Sequence, residues 1–182
     1  EKSKVPCEWC GKKFIPSEGG LLVGTKMLCS RKCVQDFIAT PEGQLAQSQP
    51  VSADQYFKTG LNYARGENGA TKNYYMAFIY YQKAAEMGSE KAMNNLGCLY
   101  LDGWGIAQDK NMAFKYFKRA ADAGESNAIS NVAVCYEKGY GVNQDIDKAI
   151  ENYQLSGSKG NSQSYYILGT WYETGKHVQK NT

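Results

Sequence analysis

Three stretches of the chain repeat one pattern of residues at a spacing of 36 or 37 positions. The pattern begins at Ala92, again at Ala128 and again at Ser164. A looser copy comes earlier, with its landmarks at Gly60, Tyr63 and Gly66. A repeat of this length is typical of stacked supersecondary units, each of which buries its apolar face against the next. The spacing therefore predicts an array, and such arrays bind partners more often than they catalyse reactions.

Each copy predicts a helix, a loop and a second helix. In the copy that starts at Ala92, apolar residues recur at intervals of three and four and form one helical face. Gly103 and Gly105 should end this first helix, because glycine supplies the backbone freedom that a helix C-terminus needs. The second helix should begin near Asp109 or Lys110.

The second helix should bury a stripe of small and aromatic residues, and Gly124 should end it. The stripe consists of Met112, Ala113, Tyr116, Phe117, Ala120 and Ala121. In the next copy Ser156 and Gly157 replace the two alanines. Since glycine weakens a helix, we expect a weaker helix end there.

This pattern, A-x-x-x-L-G-x-x-Y-x-x-G-x-G followed by D-x-x-K-A-x-x-Y-x-x-A-A-x-x-G, resembles the SEL-one-like repeat family, a relative of tetratricopeptide repeats. The resemblance is strongest over residues 92–160. It implies a mostly α fold, a right-handed α–α solenoid of helix pairs, and binding of a protein or peptide. The fourth copy contains only a first helix before Thr182, and we expect the natural array to continue.

The chain divides by composition into three regions. Residues 1–40 contain four of the six cysteines and many lysines, and residues 41–52 have the Pro, Gly, Gln and Ser content of a linker. Residues 53–182 hold about three and a half repeats. The predicted organisation is a small N-terminal module, a linker and the repeat array.

The N-terminal cysteines have the spacing C-x2-C-x18-C-x3-C, which predicts one structural Zn²⁺. Four thiolates complete a tetrahedral shell and leave no open position for a catalytic water. The segment resembles a treble-clef zinc finger, similar to the MYM-type and gyrase-inhibitor-type fingers in its Cys-Gly-Lys and Cys-Ser-x-x-Cys elements. The predicted metal ligands are Cys7, Cys10, Cys29 and Cys33.

Basic side chains surround these cysteines and suggest an alternative function. A nucleic-acid-associated regulator could use them to contact phosphates, with the repeats recruiting protein. Acidic neighbours dilute the patch, so a solvated surface explains it more simply. The candidate contacts are Lys12, Lys13, Arg31 and Lys32.

The remaining composition favours an intracellular, reducing location. Cys98 and Cys135 fall at apolar positions of the repeats and should act as small buried hydrophobic residues, although a disulfide between them is an alternative. A net charge of +3 is too small to indicate a nucleic-acid or membrane partner. No apolar run is long enough to cross a membrane, and we expect a cytoplasmic protein.

Catalytic motifs are weak, and we predict no catalytic residue and no enzyme. Ser156 and Lys159 match the S-x-x-K element of β-lactamases, and residues 58–60 match K-T-G, but the S-D-N element is absent and the order is wrong. The single histidine, His177, has no acid or nucleophile beside it in the sequence.

The outward side of the first helices is the candidate partner surface. Asparagine amides can pair with a peptide backbone and tyrosine rings can pack on it, although polar surface residues alone would look the same. Glu137 is also expected to face away from the core. The candidate contacts are Asn94, Asn95, Asn131, Tyr165 and Tyr166. We therefore predict a non-enzymatic adaptor whose finger caps the solenoid or docks a second partner.

Overall fold

A computed structural model of the 182-residue chain describes residues 50–177, four short strands before them, and Cys33. The chain forms two compact units, Glu1–Ser89 and Glu90–Thr182. The predicted boundaries at residues 40 and 52 lie outside the described residues or at their edge, and they stay predictions.

The described part of the N-terminal region consists of two antiparallel strand pairs and one buried cysteine. Strand β1 (Val5–Pro6) pairs with β2 (Lys13–Phe14), and β3 (Leu21–Val23) pairs with β4 (Lys26–Leu28). Cys33 is buried and has a helical conformation. The other predicted zinc ligands, Cys7, Cys10 and Cys29, lie outside the described residues, so the zinc finger stays a prediction. Of the candidate nucleic-acid contacts, only the backbone of Lys13 is described.

Residues 50–177 contain seven helices, which confirms the mostly α prediction for this part of the chain. Every helix has 13 residues, and short loops join the helices in pairs. The helices are α1 (Ala53–Arg65), α2 (Tyr74–Glu86), α3 (Glu90–Asp102), α4 (Lys110–Asp122), α5 (Ser126–Lys138), α6 (Ile146–Ser158) and α7 (Ser162–Thr174).

The second helix of each pair begins at a side-chain cap. Asp109 accepts hydrogen bonds from the backbone N–H groups of Asn111 and Met112, both at 2.9 Å. Asp145 accepts from the N–H of Lys148 at 3.0 Å. These bonds satisfy donors that the first turn of a helix leaves unpaired. The predicted start of α4 at Asp109 or Lys110 is therefore confirmed.

The loop inside each pair is closed by the same hydrogen bonds in successive repeats. The N–H of Asp109 donates to the carbonyl of Tyr100 at 2.9 Å, and 36 residues later that of Asp145 donates to Tyr136 at 3.0 Å. Gly103, which follows α3, has φ +72°, a conformation that side chains with a Cβ rarely adopt. The glycines therefore end the first helices, as the sequence predicts.

Gly141 is the tightest point of these loops. Its φ is +68°, and a Cβ at this position would overlap the backbone carbonyl of Lys110 at the start of α4. Backbone atoms cannot rotate away as a side chain can. The loop of the third repeat therefore packs on the second repeat only with glycine at this position.

In the first unit, α1 and α2 pack through aromatic rings. Met76 and Tyr80 are buried and contact Tyr56 and Tyr63. The rings of Tyr63 and Tyr80 stack with their centroids 5.5 Å apart, an arrangement that adds to the burial energy.

In the second unit each helix packs on the next one in the chain, and the core forms two clusters. One surrounds Phe117 between α4 and α5, and the other surrounds Tyr153 and Trp171 between α6 and α7. Full burial of one such large side chain contributes about 1.5–3 kcal/mol. The predicted buried side of α4 is confirmed for its centre, since Ala113, Phe117 and Ala120 are inaccessible, and Met112, Tyr116 and Ala121 are partly buried.

Cys98 and Cys135 are free thiols in the cluster around Phe117. Burial, helped by the charge of Asp102, raises the pKa of Cys98 to about 11. Burial also raises the pKa of Cys135 to about 12. Both side chains therefore stay protonated near neutral pH, and they pack as small apolar residues.

Candidate protein-binding surface

The candidate surface belongs to the second unit and is carried by α3, α5 and α7, the first helices of three successive repeats. Side-chain hydrogen bonds join these helices directly. Nδ2 of Asn131 on α5 donates to Oδ1 of Asn94 on α3 at 2.8 Å. Nδ2 of Asn161, the cap of α7, donates to Oδ1 of Asn127 at 3.1 Å. The first helices therefore lie side by side and form one surface.

The Asn94–Asn131 bond uses part of the capacity of both amides. Each carboxamide has two N–H donors and an oxygen that accepts two hydrogen bonds. The bond between them occupies one donor of Asn131 and one acceptor position of Asn94, and both residues are partly exposed. Asn95 is partly exposed as well. Several amide groups thus remain for a ligand.

Tyr165 and Tyr166 are the most exposed large apolar residues on α7, at 53% and 67% of their full accessible area. Tyr165 lies against Gly157 of α6, where a Cβ would come within 2.7 Å of its ring. Tyr166 is two positions after Ser164 and corresponds to Asn94 and Ser130 of the preceding repeats. Tyr165 is therefore partly a packing residue, and Tyr166 is the more available ring.

Four serines form a polar node at the contact of α5, α6 and α7, which sequence reasoning missed. The Ser164 hydroxyl lies 3.0 Å from the hydroxyl of Ser156 and 3.1 Å from that of Ser130. Ser156 donates to the backbone carbonyl of Ser126 at 2.8 Å. Ser156 and Ser164 are completely buried, so these bonds satisfy them. Because both stand where the preceding repeat has alanine, their replacement by a polar residue was the signal available in the sequence.

The position of Ser156 argues against the β-lactamase interpretation of its motif. Ser156 has no exposed surface, and its hydroxyl hydrogen is used by the carbonyl of Ser126. A nucleophile needs access to its substrate and a base to take its proton.

The replacement of two alanines by Ser156 and Gly157 does not shorten α6. The helix runs to Ser158 and is as long as its counterparts.

The expected outward orientation of Glu137 is wrong. Its side chain is only 8% exposed, and its Oε2 accepts a hydrogen bond from the hydroxyl of Tyr153 at 3.0 Å. Its Oε1 lies 3.2 Å from Nζ of Lys176 and 3.1 Å from Nζ of Lys138. Periodicity alone places this position outside. Its burial follows from these partners, which only the tertiary structure brings together.

Two opposing effects set the pKa of Glu137. Burial raises it, and the hydrogen bonds from Lys138, Lys176 and Tyr153 lower it, with a net pKa below the ordinary carboxyl value. Glu137 is therefore ionised at neutral pH. Burial and the neighbouring carboxylate raise the pKa of Tyr153, which keeps its hydroxyl protonated as the donor.

Comparison with known proteins identifies the repeats. The model of the Sel1 repeat matches residues 56–89, 90–125, 126–161 and 162–182. The chain belongs to the Sel1 repeat family. Sel1-repeat proteins are in general scaffolds for protein–protein interaction, bind protein partners and are typically non-enzymatic. The predicted resemblance is thus confirmed for the repeats.

Solved structures of Sel1 proteins resemble this chain. A protective antigen of uropathogenic Escherichia coli with an SLR fold is 30% identical, with a TM-score of 0.67 over 82% of this chain. A Sel1 repeat protein from Oxalobacter formigenes is 26% identical, with a TM-score of 0.65 over the same share. The chain spans 34% and 58% of the lengths of these two structures.

A more distant structure shows the fold alone. Helicobacter pylori cysteine rich protein B is 20% identical, with a TM-score of 0.54 over 71% of this chain and 98% of its own. No curated protein sequence matches. Among the described residues of this Sel1 protein, none of the helices has the length and apolar character needed to cross a membrane.

Proposed function

We propose that this Sel1-repeat protein is a non-enzymatic adaptor that binds a protein or peptide on the surface of α3, α5 and α7. The observation that carries the proposal is the exposed Tyr166 ring on α7, which follows two first helices joined by the Asn94–Asn131 bond. Large exposed aromatic residues are uncommon on a monomer surface and frequent at the centre of interfaces.

The contacts divide the candidate residues by role. Asn94 and Asn131 join neighbouring repeats, and Tyr165 covers Gly157. For Asn95 and Tyr166, the part of the chain that the structure describes shows no such contact between repeats. A partner is therefore best tested through Asn95 and Tyr166, whose removal leaves the repeat contacts intact.

The test compares two double variants in affinity capture followed by a measured Kd for the captured partner. Asn95→Ala with Tyr166→Ala should weaken binding at least tenfold. Truncation of an aromatic residue at the centre of an interface costs about 2 kcal/mol of binding free energy. Asn143→Ala with Leu155→Ala removes another exposed amide and an exposed apolar side chain elsewhere in the unit and is the control. Equal Kd values for both double variants would refute the surface assignment.

For the N-terminal region we propose one structural zinc ion held by Cys7, Cys10, Cys29 and Cys33. The donor set suits the metal, since four thiolates satisfy tetrahedral zinc. The finger would then cap the repeats or dock a second protein. Metal analysis of zinc-replete protein should give one equivalent, and less than about half an equivalent would exclude the site.

A further inference from the structure

Glu137 and Tyr153 introduce polar groups where the second repeat is apolar. They stand 36 positions after Leu101 and Phe117. Glu137 contacts the side chain of Lys176, and Tyr153 donates a hydrogen bond to Glu137. Lys176 in turn stands where the two preceding repeats have an aromatic residue after the helix-ending glycine. Three polar replacements, two in the third repeat and one in the fourth, thus coincide at one place.

At that place a carboxylate oxygen and an aromatic ring both lie close to an ammonium group. Nζ of Lys176 lies 3.2 Å from Oε1 of Glu137 and 5.5 Å from the centroid of the Trp171 ring. The hydroxyl of Tyr153 donates to the other carboxylate oxygen at 3.0 Å. The rings of Tyr153 and Trp171 make a T-shaped contact with their centroids 5.5 Å apart. Nζ of Lys138 also lies 3.1 Å from Oε1.

A buried carboxylate of this kind gains from each cation that it binds. Taking Glu137 out of water is unfavourable, and hydrogen bonds from charged donors offset that cost. The face of an indole ring adds attraction for the same cation. Trp171 is itself 97% buried, and the rings of His177 and Tyr153 lie with their centroids 4.7 Å and 5.5 Å from its own, so neighbouring side chains hold the indole in place.

We propose that Glu137, Tyr153 and Trp171 form a binding site for a primary ammonium group, filled in cis by Lys176 and able to take the lysine side chain of a partner in its place. Glu137 supplies charge and an acceptor, Tyr153 orients the carboxylate, and Trp171 supplies an aromatic wall. The site goes beyond the proposed adaptor surface and does not rest on it.

Lys138 provides the matched comparison within the chain. It and Lys176 are similarly exposed, at 48% and 51%, and contact the same oxygen. Of the two, only Lys176 also lies over an aromatic ring among the described contacts. If Glu137 made only ordinary surface ion pairs, the two lysines would contribute equally to stability. A binding site with an aromatic wall makes the contribution of Lys176 larger.

The experiment is chemical rescue of the Lys176→Ala protein. Its melting temperature should fall by roughly 2–4 °C, the shift expected for a loss near 1 kcal/mol in a chain of this size. n-Butylammonium at about 100 mM should restore part of that fall by binding only the folded state. Tetramethylammonium at the same ionic strength carries no N–H donor and should restore nothing. Lys138→Ala should fall less and show no rescue.

Two results would overturn the site. The first is an equal response to both cations, and the second is equal rescue in Lys176→Ala combined with Glu137→Gln. A further readout needs no second substitution, in case that double variant does not fold. The indole N–H resonance of Trp171 in the Lys176→Ala protein should shift saturably with n-butylammonium and not with tetramethylammonium.

A last arm separates the cis and trans sources of the ammonium. Nα-acetyl-lysine methylamide should bind Lys176→Ala about fivefold more tightly than the unmodified protein, because a tethered lysine that contributes about 1 kcal/mol occupies the site about five times more often than it leaves it open. Equal affinities would mean that Lys176 does not occupy the site, and the proposal would fail.

Discussion

The second and third repeats, residues 90–125 and 126–161, share a backbone and differ in the chemistry of their interiors. In the second repeat Gly97 of α3 lies against the ring of Phe117, with no polar atom in either side chain. In the third, Ala133 replaces the glycine and Tyr153 replaces the phenylalanine, with its hydroxyl on Glu137. The loops and caps thus fix the repeat, and the interior can be apolar or polar.

The contacts between repeats differ in the same way. Ala120 and Ala128 are buried where α4 and α5 meet, and Ser156 and Ser164 take the corresponding positions on α6 and α7 with a hydrogen bond between them. Small side chains let the helices approach closely in both cases. Both contacts use small buried side chains, and only the later one is polar.

The largest expected effect is in the apolar interior. Gly97→Ala places a Cβ 2.5 Å from the ring of Phe117, which is 1% exposed and cannot move. Overpacking of this kind costs up to about 3 kcal/mol, and urea denaturation measures it. Gly157→Ala is the matched variant. There the obstructing ring is the half-exposed Tyr165, which can rotate, so the loss should be under about 1 kcal/mol. Equal losses would show that ring mobility does not decide the outcome.

The next effect concerns the hydroxyl of Tyr153. Tyr153→Phe removes the donor to buried Glu137 and should destabilise the fold by about 2 kcal/mol. The reverse change, Phe117→Tyr, puts a hydroxyl in the apolar interior and should also destabilise it, since Leu101 offers no acceptor there. Chemical denaturation of both variants tests the comparison. A neutral Phe117→Tyr would mean that the second repeat is not as apolar as its side chains indicate.

The serine node should give a smaller and non-additive effect. Ser164→Ala alone should cost about 1 kcal/mol, because it leaves buried Ser156 with fewer partners. Ser156→Ala combined with Ser164→Ala recreates the alanine contact of the preceding repeat and should lie closer to the unmodified protein than the sum of the single changes predicts. A double-mutant cycle measures the coupling, and strict additivity would argue against a cooperative node.

The smallest effect is a pH dependence that distinguishes the third repeat. Because the folded state lowers the pKa of Glu137, its stabilising contribution is complete above the ordinary carboxyl pKa and is lost as the pH falls through the lowered value. Glu137→Gln should flatten the stability profile in that acidic range. Melting curves from neutral to acidic pH test this, and parallel profiles for the two proteins would contradict it.

The backbone of the repeats was predictable because it depends on local residues. Gly103 ends α3 and Asp109 begins α4, and both roles come from neighbouring residues in the chain. The apolar stripe predicted the buried position of Phe117 for the same reason. The spacing of the four N-terminal cysteines predicts zinc ligands by similarly local reasoning, but three of these cysteines lie outside the described residues and the site stays a prediction.

The finer contacts of the candidate sites could not be predicted, because they depend on the offset between helices that are distant in sequence. The bond between Asn94 and Asn131 joins residues 37 positions apart, one more than the repeat. Glu137 is buried by Tyr153 and by Lys176, which lies 39 positions away. Periodicity places residues on faces and cannot say which side chain crosses to a neighbour.

The contact between Gly141 and the carbonyl of Lys110 limits how this array could be rearranged. A repeat can be duplicated, deleted or moved only if each loop that packs on a preceding repeat keeps its glycine. The side chains of the serine node and of Glu137 add partners that only their own neighbours supply. The third repeat is therefore matched to the fourth, and exchanging it with the second would separate Ser156 and Glu137 from their partners Ser164 and Lys176.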